Sequence, residues 1–157
     1  MKNTILFICT GNTCRSVMAE YFFNNKINLL NLKNNFQADS AGIFAEKGIH
    51  ATKETVTCLK KRNIDISTHT SKPVNLTLIR NAFLVLTMTF SQLNYLNNKY
   101  PEQKNKIFLF GEYIGINTKN NEAGKEIEDP FGEDLCIYEK ICNQIDIGIQ
   151  ELINILR

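Results

Sequence analysis

Residues Thr4 to Ile8 are apolar, and the loop Cys9-Thr10-Gly11-Asn12-Thr13-Cys14-Arg15-Ser16 follows at once. Beyond it, Met18, Ala19, Tyr21 and Phe22 fall at helical spacing over Ser16–Asn25, as in an amphipathic helix. A buried strand that turns through a short loop straight into a helix is the first half of a strand–helix–strand unit. Such units need a parallel sheet with its faces covered by helices.

The rest of the chain repeats this alternation. Phe36–Ser40 is a predicted second strand, Ala51–Arg62 a helix with Val56 and Leu59 on its apolar face, and Ala82–Met88 a nearly continuous apolar run suited to a central parallel strand. Ser91–Asn98 is a predicted short helix and Ile107–Phe110 a fourth strand. Leu135–Leu156 is a long helix with Ile141, Ile145, Ile149 and Leu152 on one face. The expectation is an α/β fold with four parallel strands, right-handed crossovers and helices on both faces, formed by residues 1–157 as one domain. The polar stretch Gly115–Glu126 reads as a flexible surface loop.

The first loop is also where chemistry concentrates. It ends at a helix N-terminus, whose unpaired N–H groups and dipole favour an anion. Gly11 can take a positive φ at little cost and Asn12 tolerates the left-handed region, so successive N–H groups can converge as an anion nest. Arg15 adds a planar fork matched to two phosphate oxygens. Cys9 ends the strand at the floor of this positive bowl, where a thiol is expected as the thiolate nucleophile. Ser16 can donate a hydrogen bond to its sulfur. Thr10 through Ser16 are therefore the candidate phosphate-binding residues.

Composition excludes several classes. The 157 residues carry a formal net charge of +2, with 43% hydrophobic and 22% charged residues. That balance gives no argument for a nucleic-acid or membrane partner. No apolar run approaches the ~20 residues of a membrane span, and residues 1–10 lack the pattern of a signal peptide. The five cysteines follow no secreted disulfide framework, which points to the reducing cytoplasm. No cysteine–histidine spacing suggests zinc, and neither metal nor cofactor is expected. Cys58, Cys136 and Cys142 lie in helical stretches as core or surface residues, and His50 reads as a helix-start residue.

Cys9 to Ser16, continued by Met18-Ala19-Glu20, resembles the phosphate-binding loop of the low-molecular-weight protein tyrosine phosphatase family. The resemblance covers nearly the whole chain. It returns at Ser40-Ala41-Gly42, at His69-x-Ser71, at Leu86-Thr87-Met88 and at Asp129-Pro130-Phe131-Gly132. Val17 stands where the family usually has proline, which removes some rigidity from the first helical turn but no chemical group. The resemblance implies strand order 2-1-3-4, a phosphocysteine intermediate on Cys9, support of the loop by His69 bonding to Asn12 or its neighbours, and phosphorylated proteins as substrates of a monomeric enzyme.

Asp-Pro alone is a common turn, and the match to the family's acid motif is what singles out Asp129. Such an acid protonates the leaving group and then acts as base on the hydrolytic water. Pro130 restricts Asp129 to extended conformations. Glu126 and Glu128 are weaker candidates.

Thr13 carries the question of substrate. Members acting on phosphotyrosine usually have a bulky aliphatic residue there, whereas the branch resembling bacterial protein-arginine phosphatases has threonine. Phe131-Gly132 is likewise similar to that branch. A phosphoguanidine brings N–H donors that an aliphatic wall would leave unpaired, at roughly 1–3 kcal/mol per buried group. A threonine hydroxyl can accept one. Phe44 and Phe131 are expected as apolar pocket walls. Cys14, beside Cys9 on the same loop, could form a reversible disulfide with it or pack as a small apolar residue.

Three other readings fit less well. An arsenate reductase on this scaffold passes oxidation to a cysteine pair beyond the third strand, but no cysteine lies between Cys58 and Cys136. A phosphate-binding module needs no nucleophile, and a cysteine-phosphorylated carrier would be harmed by a hydrolysing acid.

Overall fold

The computed structural model describes residues 1–115 and 125–157. The elements run β1 (Asn3–Cys9), α1 (Arg15–Leu29), β2 (Phe36–Gly42), α2 (Lys53–Lys60), α3 (Leu76–Asn81), β3 (Leu84–Thr87) and α4 (Phe90–Lys99). A 3₁₀ turn (Pro101–Lys106), β4 (Ile107–Leu109), α5 (Phe110–Tyr113) and α6 (Leu135–Leu156) follow. The four strands are parallel in the order β2-β1-β3-β4, as the resemblance implied.

Alternation along the central strands divides the core in two. Ile5, Phe7 and Cys9 of β1 pack with α1, α2 and α6, whereas Leu6 and Ile8 face the layer built from α3 and α4. Every residue of β3 is buried, which is why that segment reads as a continuous apolar run. The register sets Cys9 opposite Gly42 and Ile8 opposite Thr87, so the carboxyl ends of β1, β2 and β3 meet at one edge. Ligands of open parallel sheets bind beyond that edge. Among the described residues no helix is long and apolar enough to cross a membrane.

Several boundaries differ from expectation. Helix α1 is not amphipathic in its first half: Arg15 through Ala19 are all buried, because it is wedged between the sheet and α6. In α2 the buried face is Thr55, Cys58 and Leu59, and Val56 is exposed, one position off the expected register. Strand β3 starts at Leu84 because Ala82 closes α3, donating to Leu78 O and Ile79 O. That helix, capped by Asn75, is six residues long and too short to display a period. Strand β4 ends at Leu109 because Phe110 opens α5. The expected loop Gly115–Glu126 lies for the most part outside the described residues.

Candidate active site

The loop leaving β1 is held from four directions. From β2 and its sequel, Ile43 N–H donates to Cys9 O and Phe44 N–H to Thr10 O, each at 3.0 Å. This close approach needs Gly42: a Cβ there would lie 2.5 Å from Thr10 O and 3.0 Å from Asn12 N. From α4, Gln92 Nε2 donates to Thr10 Oγ1 at 3.2 Å. From the segment before α2, Thr52 N–H donates to Thr13 O at 3.2 Å. From the segment before α3, His69 Nε2 lies 3.0 Å from Asn12 O. A carbonyl oxygen only accepts, so that ring carries its proton on Nε2. Burial, the main cause, pulls the His69 pKa below the ordinary imidazole value.

Curvature falls on one residue. Asn12 adopts φ 57°, while Gly11, expected to share the left-handed conformation, does not. Asn12 can carry it because its side chain is fully satisfied. Oδ1 accepts from Lys72 N–H at 3.0 Å, and Nδ2 donates to Ser16 Oγ and Ser40 Oγ, both at 2.9 Å. Ser16 Oγ in turn lies 2.9 Å from Cys9 Sγ.

A cavity of about 220 Å³ opens above the loop, lined by Cys9, Thr10, Gly11, Thr13, Cys14, Arg15, Asp129 and Phe131. The nucleophile, guanidinium and carboxylate singled out in the sequence thus share one space. Arg15 is 3% exposed, donates through Nη1 to Ile127 O at 2.9 Å and faces Asp129 Oδ2 at 3.5 Å through Nη2. Its Nε is buried with no partner among the described residues, a donor suited to an oxyanion in the loop. Helix α1 begins at Arg15 with no side-chain cap and no acidic residue in its first turn, so its N-terminal field is left for an anion.

Asp129 sits on a short loop whose start is anchored by Ile127 N–H to Met88 O at 2.9 Å, and its Oδ1 accepts from Phe131 N–H at 3.1 Å. Glu126 is used elsewhere: its Oε1 accepts from Phe90 N–H at 2.7 Å, at the start of α4. Glu128 is exposed and outside the cavity. Thr13 and Phe131 line the wall of the cavity. Phe44 does not: its ring turns to Tyr95 of α4, with centroids 5.4 Å apart, because its own backbone is bound to Thr10 O. His50 lies two residues before Thr52, the N-cap of α2.

Cys14 is buried, with Sγ 3.5 Å from both Thr52 Oγ1 and Tyr138 Oη and 3.7 Å from Thr13 Oγ1. Burial raises the Tyr138 hydroxyl well above its ordinary value and keeps it protonated. Cys58 and Cys142 are buried, with thiols pushed up by burial to about 12 and about 11, and Cys136 is exposed. Among the described residues no group of three or more His, Cys, Asp or Glu side chains is placed to hold a metal ion.

Sequence reasoning passed over Gln92, Thr52 and Tyr138. The stretch Thr89-Phe90-Ser91-Gln92 has a capping-box spacing that could have placed the start of α4 and its glutamine. Thr52 and Tyr138 carry no such signal, because their contacts with Cys14 span 38 and 124 residues.

Residues 4–157 match the family described as low molecular weight phosphotyrosine protein phosphatase. A protein-arginine-phosphatase of Bacillus subtilis is 32% identical over 148 residues, covering 94% of this chain and 93% of the relative. Among solved structures, a low molecular weight protein tyrosine phosphatase from T. tengcongensis superposes with a TM-score of 0.88 at 40% identity, covering 98% of this chain and 99% of that one. A YwlE arginine phosphatase mutant with a phosphorylated active-site serine superposes with a TM-score of 0.88 at 31% identity, covering 98% and 95%. The chain belongs to the low-molecular-weight phosphotyrosine protein phosphatase family. It is a cysteine-dependent hydrolase acting on phosphorylated proteins.

Proposed function

We propose that the chain hydrolyses phosphoarginine in proteins through a covalent phosphocysteine on Cys9. The observation that carries this reading is the meeting of Cys9, Arg15, Asp129 and Thr13 in one cavity. Cys9 Sγ attacks phosphorus, an S–P bond forms and the bond to the leaving guanidine nitrogen breaks. Asp129 gives its proton to that nitrogen. Water then attacks the phosphocysteine, Asp129 takes the water's proton, and inorganic phosphate leaves as the S–P bond breaks. The Arg15 fork and the loop N–H groups hold the equatorial oxygens, with bonds that strengthen as charge builds in the transition state. Ser16, donating to the sulfur, stabilises it as attacking and leaving thiolate. Asn12 and His69 hold the loop in shape.

Thr13 supports the arginine reading because its hydroxyl offers an acceptor in the cavity wall to a guanidinium N–H. The likeness to the Bacillus subtilis protein-arginine-phosphatase supports it as well. Phe131, 71% exposed on the same wall, favours a second reading: its ring can also flank the ring of a phosphotyrosine. The enzyme is read as a cytoplasmic monomer with no cofactor, nucleic-acid or membrane partner.

The test is phosphate release from a phosphoarginine protein and a phosphotyrosine peptide, side by side, with Cys9→Ser as blank. Preference for phosphoarginine, lost in Thr13→Ile, is the expected result. Preference for phosphotyrosine, or a ratio unmoved by Thr13→Ile, overturns the substrate assignment.

A further inference from the structure

The hydrogen bonds around Asn12 have a fixed direction. Lys72 N–H to Oδ1 orients the amide, so both hydrogens of Nδ2 go to the hydroxyl oxygens of Ser16 and Ser40. Each hydroxyl has accepted one bond and has one proton to give. The Ser16 proton goes to Cys9 Sγ, and the Ser40 proton goes to Glu20 Oε2. Glu20 and the nucleophile therefore stand at opposite ends of one chain of five side chains. Asn12, the hub of that chain, is also the loop residue held at φ 57°.

We propose that Glu20 is a positioning residue of this phosphatase: its ionised carboxylate, acting through Ser40 and Asn12, holds the phosphate loop in its anion-binding form, and its protonation loosens that hold. The inference rests on the assignment of Cys9 and its loop as the phosphoryl site. An ionised Glu20 accepts the Ser40 proton and leaves Ser40 Oγ free to accept from Asn12. A protonated Glu20 brings a hydrogen of its own that competes with Asn12 Nδ2 for that oxygen.

Glu20 is reachable by protons without passing the substrate. It lines a second cavity, of about 310 Å³, that shares no lining residue with the catalytic one. The charged and titratable groups around it are Tyr21 of α1, Asp39 of β2, Lys47, His69 and Lys72. Asp39 and Lys72 neutralise each other, Lys72 Nζ lying 2.6 and 2.8 Å from the two carboxylate oxygens. Burial, outweighing the Ser40 bond, raises the Glu20 pKa to about 7, with Asp39 raising and Lys72 lowering it by less. Its charge then changes within the range of an ordinary assay.

The experiment compares kcat/KM for an aryl phosphate, and inhibition by inorganic phosphate, from pH 5 to 8.5 in wild type, Glu20→Gln and Ser40→Ala. Glutamine keeps the size and an acceptor oxygen but does not titrate. The ratio of wild type to Glu20→Gln is expected to rise several-fold with pH in a single step near pH 7. Phosphate affinity follows the same step, and Ser40→Ala loses it. A ratio constant within twofold overturns the proposal. Loss of turnover in every protein, with the step in phosphate affinity intact, would instead count against the catalytic reading and leave the positioning role standing. Should the variants fail to fold, the Glu20 carboxyl is titrated by NMR in wild type with and without saturating phosphate. Coupling through the loop is reciprocal, so phosphate is expected to lower its midpoint. A midpoint that rises, as direct repulsion between the anions would produce, or stays put overturns the proposal.

Discussion

Arg15 Nη2 lies 3.5 Å from Asp129 Oδ2, joining a guanidinium that is 3% exposed to a carboxylate that is 53% exposed. The long contact and the wet partner make this a weak pair, worth at most about 1 kcal/mol. Asp129 is thereby kept near the cavity without being locked to Arg15, and an oxyanion that takes the guanidinium leaves the carboxyl free for proton transfer.

Asp129→Asn is accordingly expected to leave stability within about 1 kcal/mol while lowering kcat by ~10²–10⁴ for substrates with poor leaving groups. The loss shrinks for a leaving group that departs without a proton. Steady-state rates across a series of aryl phosphates check this; equal losses along the series would remove Asp129 from the role of acid.

Arg15→Lys keeps the charge but not the fork. Ile127 O and the phosphoryl oxygens cannot both be served by one ammonium in the same geometry. A fall in kcat/KM of at least ~10² is expected, with weaker inhibition by inorganic phosphate. Retention of tight phosphate binding would show that the loop N–H groups suffice.

Gly42→Ala tests how closely β2 must approach the loop. The added carbon would meet Thr10 O at 2.5 Å and Ala45 Cβ at 2.8 Å, and neither backbone nor methyl can swing away. Destabilisation of ~1–3 kcal/mol is expected, together with loss of phosphate affinity, because the displaced atoms belong to the loop itself. Thermal melts with and without phosphate separate the two effects.

How much of this was legible beforehand follows from distance along the chain. Cys9, Arg15 and the residues between them announce themselves because a strand, an anion nest and a helix start are local features. Strands β1, β3 and β4 are legible for the same reason, as each is an apolar run, whereas β2, Phe-Gln-Ala-Asp-Ser-Ala-Gly, carries a weaker local signal. Asp129 is 114 residues from Arg15, and only the likeness of its motif to a family links them. Phe44 was misplaced because nothing local says that its ring pairs with Tyr95 of a later helix. The second layer, in which Gln92, Thr52, Tyr138 and Glu20 support the loop, exists only once the sheet brings distant elements together. Gly11 shows the opposite error: its conformational freedom is real, but the loop bends at Asn12, whose amide is anchored on three sides.

Gln92 joins two tasks, and its removal is expected to show both. Its Oε1 accepts from Met88 N–H at 2.9 Å and from Thr89 N–H at 3.2 Å, closing the capping box of α4, while Nε2 holds Thr10. Gln92→Ala loses a cap worth ~1 kcal/mol and leaves buried N–H groups unpaired at ~1–3 kcal/mol. Gln92→Glu keeps the two acceptor contacts but has no donor for Thr10 when ionised. It is expected to restore most of the stability and not the KM. Denaturant melts and KM values for the two variants check this; a KM equal to wild type in Gln92→Glu would show that the Thr10 contact is idle.

Glu20, half-buried, and His69, buried, give the stability a pH dependence of opposite sign. For Glu20 the folded-state pKa, about 7, lies above the reference value of 4.5. The folded protein therefore binds the extra proton between those limits, and folding weakens as pH rises through that window. For His69 the folded value lies below the reference 6.5, so the unfolded chain binds more protons and folding weakens as pH falls below 6.5. Glu20→Gln is expected to gain on wild type as pH rises from 5 to 8, by no more than about 3 kcal/mol for a shift of this size. His69→Gln, which can still donate an N–H to Asn12 O, is expected to flatten the acid side alone. Chemical denaturation at pH 5, 6.5 and 8 checks both; wild type and Glu20→Gln changing in parallel with pH would mean that the carboxyl does not ionise against its burial.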